Sequence, residues 1–300
     1  MLRISRFRCF ISLCAVLTTG LLVSGPSLAQ QYLTPKPVSL QNEQGIKLKA
    51  FRFDPVVGSP PYKAVVMMHG CSGVYSNSVP NLQYDNLQTN FRGWGTTLAK
   101  MGIIAILVDS FTGRRDPITG APVPQNQCKN GSAGVSEVND RPFDAQAAYD
   151  YLVSTPSLQA KPGSVGLLGW SHGGSSVMAT LSKTSKARSF KAGVAFYPGC
   201  GLWNAFGGIS KSTYDPYAPF QIIHADLDPL YTGGNCQTRR NLAWLRGAQE
   251  FQPIIHYAGA KHSFDACTAT TATGSCTAAD VKAKSDGDAV TKTFLTSKLL

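Results

Sequence analysis

The sequence predicts an α/β fold, with a mostly parallel central sheet and helices on both of its faces. Three observations carry that prediction. Continuous apolar runs at 64–69 and 103–109 read as strands buried on both sides. Segments of helical character alternate with the predicted strands along the chain, the pattern of successive βα units. A glycine-flanked turn, Gly169-Trp170-Ser171-His172-Gly173, joins a predicted strand to a predicted helix.

Taken in order, residues 46–53 alternate with period two and read as a half-exposed strand. Residues 55–61 carry three prolines and a glycine and make a turn. The apolar run 64–69 ends at His69-Gly70, and residues 91–101 read as a helix stopped by Gly102. The strand 103–109 follows. Residues 110–139 are rich in Gly, Pro, Asn and Ser and read as a long loop, a kind of segment that is often functional. Residues 142–153 form a helix with proline in the first turn. A short strand at 165–169 and a helix at 171–183 bracket the Gly-rich turn. Strands at 192–197 and 220–224, a helix at 235–249, a last strand at 253–257 and a terminal helix at 279–299 complete the series. With no internal repeat and no linker, residues 30–300 read as a single domain.

The chain has 300 residues, 43% hydrophobic and 15% charged, which excludes a mainly disordered protein. No apolar run reaches the roughly 20 residues that span a bilayer, which excludes a multi-span membrane protein. Arg3, Arg6 and Arg8 precede an apolar stretch at 9–23 and then Ser27-Leu28-Ala29. That arrangement reads as a signal peptide over 1–29, with the mature chain starting near Gln30. The expected location is therefore exported, periplasmic or secreted, with no membrane insertion after cleavage. Removing those three arginines from the 28 basic residues leaves 25 against 17 acidic, a charge of +8. The basic residues are scattered, only Arg114-Arg115 and Arg239-Arg240 being adjacent, so no nucleic-acid partner is expected.

Six cysteines remain in the mature chain: Cys71, Cys128, Cys200, Cys236, Cys267 and Cys276. An even number in an exported chain implies disulfides, and six allow about 15 connectivities. Cys267 and Cys276 flank a short Thr/Ala/Gly/Ser segment and are the favoured local pair. No His-x-x-x-His or Cys-x-x-Cys spacing points to a metal, and no Gly-x-Gly-x-x-Gly follows a strand, so neither metal nor cofactor is expected.

The turn at 169–173 carries the chemistry. A nucleophile between strand and helix must stand proud of the sheet, and the close backbone approach needs glycine on either side. Ser171 is then the nucleophile. A serine hydroxyl needs a base, and the base an orienting acid, arranged along the chain as Ser, acid, His. Of five histidines, only His262 follows the last predicted strand in a loop. The acid should follow the strand 220–224, where Asp226 and Asp228 both stand. Proteins with this turn often carry Gly-x-x-Asp-Pro there; with Ala225 in the glycine's place, the pattern selects Asp228-Pro229 and leaves Asp226 as the alternative. Two amides must meet the developing oxyanion. His172, next to the nucleophile, and Cys71, in the loop His69-Gly70-Cys71-Ser72-Gly73, are the expected donors.

From about residue 62 to 265 the chain resembles the dienelactone hydrolase family of α/β-hydrolases. The resemblance lies in the loop at 69–73, Val108-Asp109-Ser110-Phe111 with Arg114, Arg141-Pro142-Phe143-Asp144, the turn at 169–174, Asp228 and His262-Ser263-Phe264. It implies an α/β-hydrolase fold and an ester-cleaving serine hydrolase acting on a small-molecule or polymeric ester. The family's namesake enzymes use a cysteine nucleophile, so Ser171 points to a carboxylesterase and away from dienelactone. Trp170, the leader and the C-terminal cysteine pair are loosely similar to secreted polyester hydrolases and cutinases. A catalytically inactive binding module is the reading from another class, and the complete set Ser171, Asp228 and His262 argues against it. Arg114 and Asp144 are expected as a surface pair and a helix-terminal charge, with Arg114 as an alternative contact for a substrate carboxylate. The loop 110–139 is expected to border the active-site mouth, with Cys128 as its tether.

Overall fold

β-strands Tyr62–Met68 (β3) and Ile103–Asp109 (β4) alternate between two separate apolar layers. Ala64, Val66 and Met68 join Ile104, Ile106 and Val108 on one face. Val65 and Met67 join Ile103, Ala105 and Leu107 on the other. A strand buried on both sides needs apolar residues at every position, which is why these two runs are continuous in the sequence. The computed structural model describes residues 32–76, 86–116, 118–128, 134–187, 189–201, 214–231, 234–267 and 276–300. The expected signal peptide at 1–29 lies outside the described residues.

Residues Tyr32–Leu300 form one unit around an eight-stranded sheet. The other strands are Lys36–Gln41 (β1), Lys47–Phe53 (β2), Ala160–Trp170 (β5), Ala192–Phe196 (β6), Phe220–Ala225 (β7) and Ile255–Tyr257 (β8). Their order is β1-β2-β4-β3-β5-β6-β7-β8. β2 is antiparallel to both β1 and β4, and every other pairing is parallel. After β3 the chain moves to one side to form β4, then returns past β3 to form β5. Such a reversal opens a crevice at the carboxyl ends of the strands. There Met68 of β3 lies in register with Gly169 of β5.

The helices divide between the faces. Thr89–Lys100 (α1) and Ala278–Lys298 (α5) pack Phe91, Trp94, Leu98 and Leu295 into one layer. Arg141–Ser154 (α2), His172–Leu181 (α3) and Asn235–Leu245 (α4) pack Leu152, Val177, Leu181 and Ala243 into the other. Among the described residues, no helix is long and apolar enough to cross a membrane.

Strand β1 is absent from the sequence reading. It is an edge strand whose Leu40 alone is buried, and Pro37 stands inside it, so neither alternation nor an apolar run marks it. β5 starts at Ala160, five residues before the apolar signal, because Tyr62 pairs with Ala160 across an exposed, polar stretch. α4 ends at Leu245, short of the expected 249; the Arg246 amide closes the last turn on Leu242 and Ala243. The loop 110–139 contains neither helix nor strand among its described residues, only an isolated bridge between Arg115 and Pro122.

Three disulfides cross-link the fold: Cys71–Cys128, Cys200–Cys236 and Cys267–Cys276. The last is the pair favoured from the sequence. Three such bonds are consistent with an oxidising compartment.

α5 opens with reciprocal caps. The Thr277 hydroxyl accepts from the Asp280 amide at 3.1 Å, and the Asp280 carboxylate accepts from the Thr277 amide at 2.8 Å. The second Asp280 oxygen accepts from the amide of Lys261, at 2.8 Å. Thr277→Ala should therefore cost about 1 kcal/mol of stability. Calorimetry should show a Tm lower by roughly 2–4 °C. Asp280→Ala should lower Tm further, because it also frees the segment leading into His262.

Candidate active site

The turn after β5 places Ser171 in a conformation that side chains rarely adopt, with φ 51° and ψ −116°. Neighbouring backbone enforces it. A Cβ on Gly173 would lie 1.9 Å from the Met68 carbonyl oxygen, and one on Gly169 would lie 2.3 Å from that of Gly173. Both positions therefore require glycine, and the chain must turn sharply between them. The Ser171 amide donates to Phe196 at 2.9 Å, and its carbonyl accepts from Ser175 at the same distance. A strained nucleophile conformation of this kind costs of order 1–3 kcal/mol, and packing around it must hold it in place.

His262 Nε2 lies 3.0 Å from Ser171 Oγ, and its Nδ1 lies 2.6 Å from Asp228 Oδ2. Asp228 is fully buried and its other oxygen accepts from the Leu230 amide at 2.8 Å. An ionised carboxylate can only accept, so the imidazole proton sits on Nδ1 and Nε2 is left bare toward the serine hydroxyl. Ser171 is 9% exposed and the His262 side chain 30% exposed, while Asp228 is fully buried, so solvent reaches the group mainly at the imidazole and not at the acid. Asp226, the alternative acid, lies outside this line; it pairs at the surface with His256, 3.0 Å away.

The loop after β3 reaches the same point. A Cβ on Gly70 would sit 3.7 Å from Ser171 Cβ, which brings the 69–71 backbone alongside the nucleophile. Cys71 is bonded to Cys128, and its carbonyl accepts from the Gln127 amide at 2.8 Å. The long loop is thus fastened to this segment. Further along the same loop, Glu137 Oε2 lies 3.5 Å from His172 Nε2. The loop therefore reaches both residues expected to supply oxyanion amides.

Arg114 does not meet the expectation of a surface pair, nor that of a substrate contact. It is buried, donates to the Ser110 carbonyl at 2.8 Å and pairs with the fully buried Asp144. Asn42, at the end of β1, donates to the same carboxylate at 2.8 Å. The pair joins the loop start to α2 and the sheet edge. A place on a polar loop predicts exposure for Arg114; the packing of α2 over β4 buries it.

Two supporting groups went unread in the sequence. Tyr197 follows β6 with φ 37°, and its ring centroid lies 4.6 Å from that of His262. Its hydroxyl donates to the buried Asp265, which also accepts from Asn90 at 3.3 Å. Burial raises the pKa of both Tyr197 and Asp265, so the tyrosine stays a neutral donor. Asp265 stands three residues after His262, and that proximity was the only signal available.

Together the fold and this constellation define a serine hydrolase of α/β architecture that cleaves ester bonds. A model of the dienelactone hydrolase family matches residues 48–298, and the chain belongs to that family. No curated protein matches the chain at a significant level. Solved structures of similar fold include a dienelactone hydrolase-like promiscuous phosphotriesterase from metagenomic libraries, 17% identical with TM-score 0.63, covering 89% of this chain and 99% of that one. A thermophilic esterase of Thermogutta terrifontis is 15% identical with TM-score 0.58, covering 88% and 92% of the two chains. An esterase of Pyrobaculum calidifontis is 16% identical with TM-score 0.58, covering 89% and 86%.

Two histidines near the nucleophile are held neutral. Burial first, and then the Arg141 cation, keep His69 well below its ordinary 6.5 and push His172 down to about 2. The unfolded chain protonates both below about 6.5, whereas the folded chain leaves them neutral. Their contribution to stability is complete above that pH and is lost as pH falls below it. Glu137 and Asp265, raised by burial, act in the opposite sense, so a variant comparison isolates the histidine effect. His172→Asn should flatten the fall in Tm between about pH 7 and about pH 5 relative to wild type, as thermal unfolding monitored by circular dichroism would show.

Proposed function

We propose that the protein is an exported carboxylesterase in which Ser171 is the nucleophile, His262 the base and Asp228 its orienting acid. The observation that carries this reading is the continuous line from Ser171 Oγ through His262 to the buried Asp228, at 3.0 and 2.6 Å. Ser171 Oγ attacks the ester carbonyl carbon and its proton passes to His262 Nε2. The tetrahedral intermediate collapses by breaking the bond to the alcohol oxygen, which takes that proton and leaves. Water then attacks the acyl-enzyme with His262 again as base, releasing the acid and restoring Ser171. The amides of His172 and Cys71 hold the oxyanion in both halves.

The export part of the proposal is supported by the Arg-rich start, the apolar run at 9–23 and three disulfides. A polymeric ester is the second reading of the substrate. What supports it is a pair of exposed leucines within two residues of Asp228 in sequence, Leu227 and Leu230, 58% and 44% exposed, apolar surface that a bulky chain could cover. The tethered loop 110–139 is proposed to shape that choice.

Purified mature protein should hydrolyse p-nitrophenyl acetate and be labelled at Ser171 by a fluorophosphonate probe. Ser171→Ala and His262→Ala should each lower kcat by several powers of ten with the fold intact, because the three groups act as a unit. Asp228→Asn should cost on the order of 10⁴. Asp226→Asn should leave kcat within about threefold, as expected of an exposed ion pair. A folded protein that neither turns over nor accepts the label would sink the enzyme reading. A larger loss from Asp226→Asn than from Asp228→Asn would overturn the acid assignment.

A further inference from the structure

We infer that Arg141 is a positioning residue that holds the two arms of the oxyanion hole in register through a single guanidinium nitrogen. The inference rests on the hydrolase reading given above. Arg141 is the first residue of α2, and its side chain is completely buried. Its Nη1 donates to the His69 carbonyl oxygen at 2.9 Å and to His172 Nδ1 at 2.7 Å. His69 directly follows β3, two residues before Cys71, and His172 directly follows Ser171. One nitrogen thus bridges the two segments proposed above to supply the oxyanion amides. Its Nε reaches Ser110 Oγ at 3.3 Å, and the guanidinium carbon stands 5.5 Å from the centre of the Phe111 ring. The same side chain therefore ties together the carboxyl ends of β3, β4 and β5.

The donors dictate the tautomers. A guanidinium only donates, so His172 Nδ1 is an acceptor and the ring proton sits on Nε2, the nitrogen that faces Glu137. His69 is fixed in the opposite tautomer: Nδ1 donates to the Gly70 carbonyl at 2.7 Å, and Nε2 accepts from the Ser110 amide at 3.1 Å. Each arm is thereby held by a neutral imidazole, and Arg141 is the element common to both.

A packing role alone does not account for this residue. Burying a guanidinium carries a large desolvation cost, and an apolar side chain would fill the same volume without it. What an apolar residue cannot do is hold two acceptors on separate elements at one nitrogen. The arms belong to β3 and α3, whose separation no covalent bond sets. Oxyanion donors must lie about 2.7–3.1 Å from the charge they meet. Misplacement by about 1 Å costs on the order of a hundredfold in rate.

The test compares p-nitrophenyl acetate with its thiono analogue, in which the carbonyl oxygen is replaced by sulfur. Sulfur is a weak acceptor, so the thiono ester gains little from the hole and reports the rest of the machinery. Arg141→Met and His172→Ala should each lower kcat/KM for the oxygen ester by about a hundredfold, mostly in kcat. The thiono ester should lose less than about fivefold, so that the ratio between the two collapses. His172→Asn places an amide oxygen where Nδ1 stood, keeps the acceptor for Arg141, and should hold that ratio within about threefold of wild type. If Arg141→Met fails to fold, the His172→Ala and His172→Asn pair decides, since both leave the guanidinium in place. Equal losses on the two esters, no loss, or His172→Asn behaving like His172→Ala would overturn the inference. A wild-type protein inert to both esters and to the fluorophosphonate would overturn the hydrolase reading, and this inference with it.

Discussion

The close approach of Gly173 to the Met68 carbonyl is the constraint on which the rest of the site depends. It forces the chain to reverse within five residues at the end of β5, and the reversal lifts Ser171 above the sheet edge at positive φ. Because β3 and β5 are neighbours, the loop after β3 arrives beside the same serine. The crossover order of the sheet then fixes which other ends can contribute. β7 delivers Asp228, and the segment after β8 delivers His262, on the far side of the nucleophile. A fold that places every loop of interest at one edge needs only that edge to be rigid.

Rigidity there is built from polar groups held in the interior. His69, Ser110, Arg114, Arg141 and Asp144 are all buried beneath the site. Charges in such a place are tolerated only when paired and hydrogen-bonded. Arg114 meets Asp144, and Arg141 meets a carbonyl, an imidazole and a hydroxyl. On the opposite flank, the Tyr197 ring leans on His262 while its hydroxyl donates a hydrogen bond to Asp265. Ser171 and His262 are thus each backed by a buried, hydrogen-bonded network. The electrostatics of the edge are thereby settled before any substrate arrives.

The disulfides extend the same logic to the loops. Cys71–Cys128 pins the long segment after β4 against the segment that carries the Cys71 amide. Cys200–Cys236 joins the stretch after β6 to the first turn of α4. Cys267–Cys276 closes the path from the His262 loop to α5, whose capping carboxylate also holds Lys261. Each bond limits how far a site-bearing loop can wander in a chain where long connections would otherwise be costly to order.

Local signals in the sequence determined the parallel core and the three groups at its edge. Short continuous apolar runs in a βα alternation read as strands buried on both faces, and Gly169 and Gly173 around Ser171, between a strand and a helix, mark a sharp turn. His262 and Asp228 followed from chain order, and Cys267–Cys276 from proximity along the chain. The edge strand β1 and the start of β5 left no trace, because exposed polar strands owe their pairing to the neighbour and not to their own pattern. Tertiary structure alone decided the fate of the charged residues. Arg114 looks like a surface cation when read along the chain, and no local signal marks either it or Arg141 as buried. Only the packing of α2 across the ends of three strands removes them from water, and only there does a guanidinium find acceptors from β3 and α3 within reach of one nitrogen.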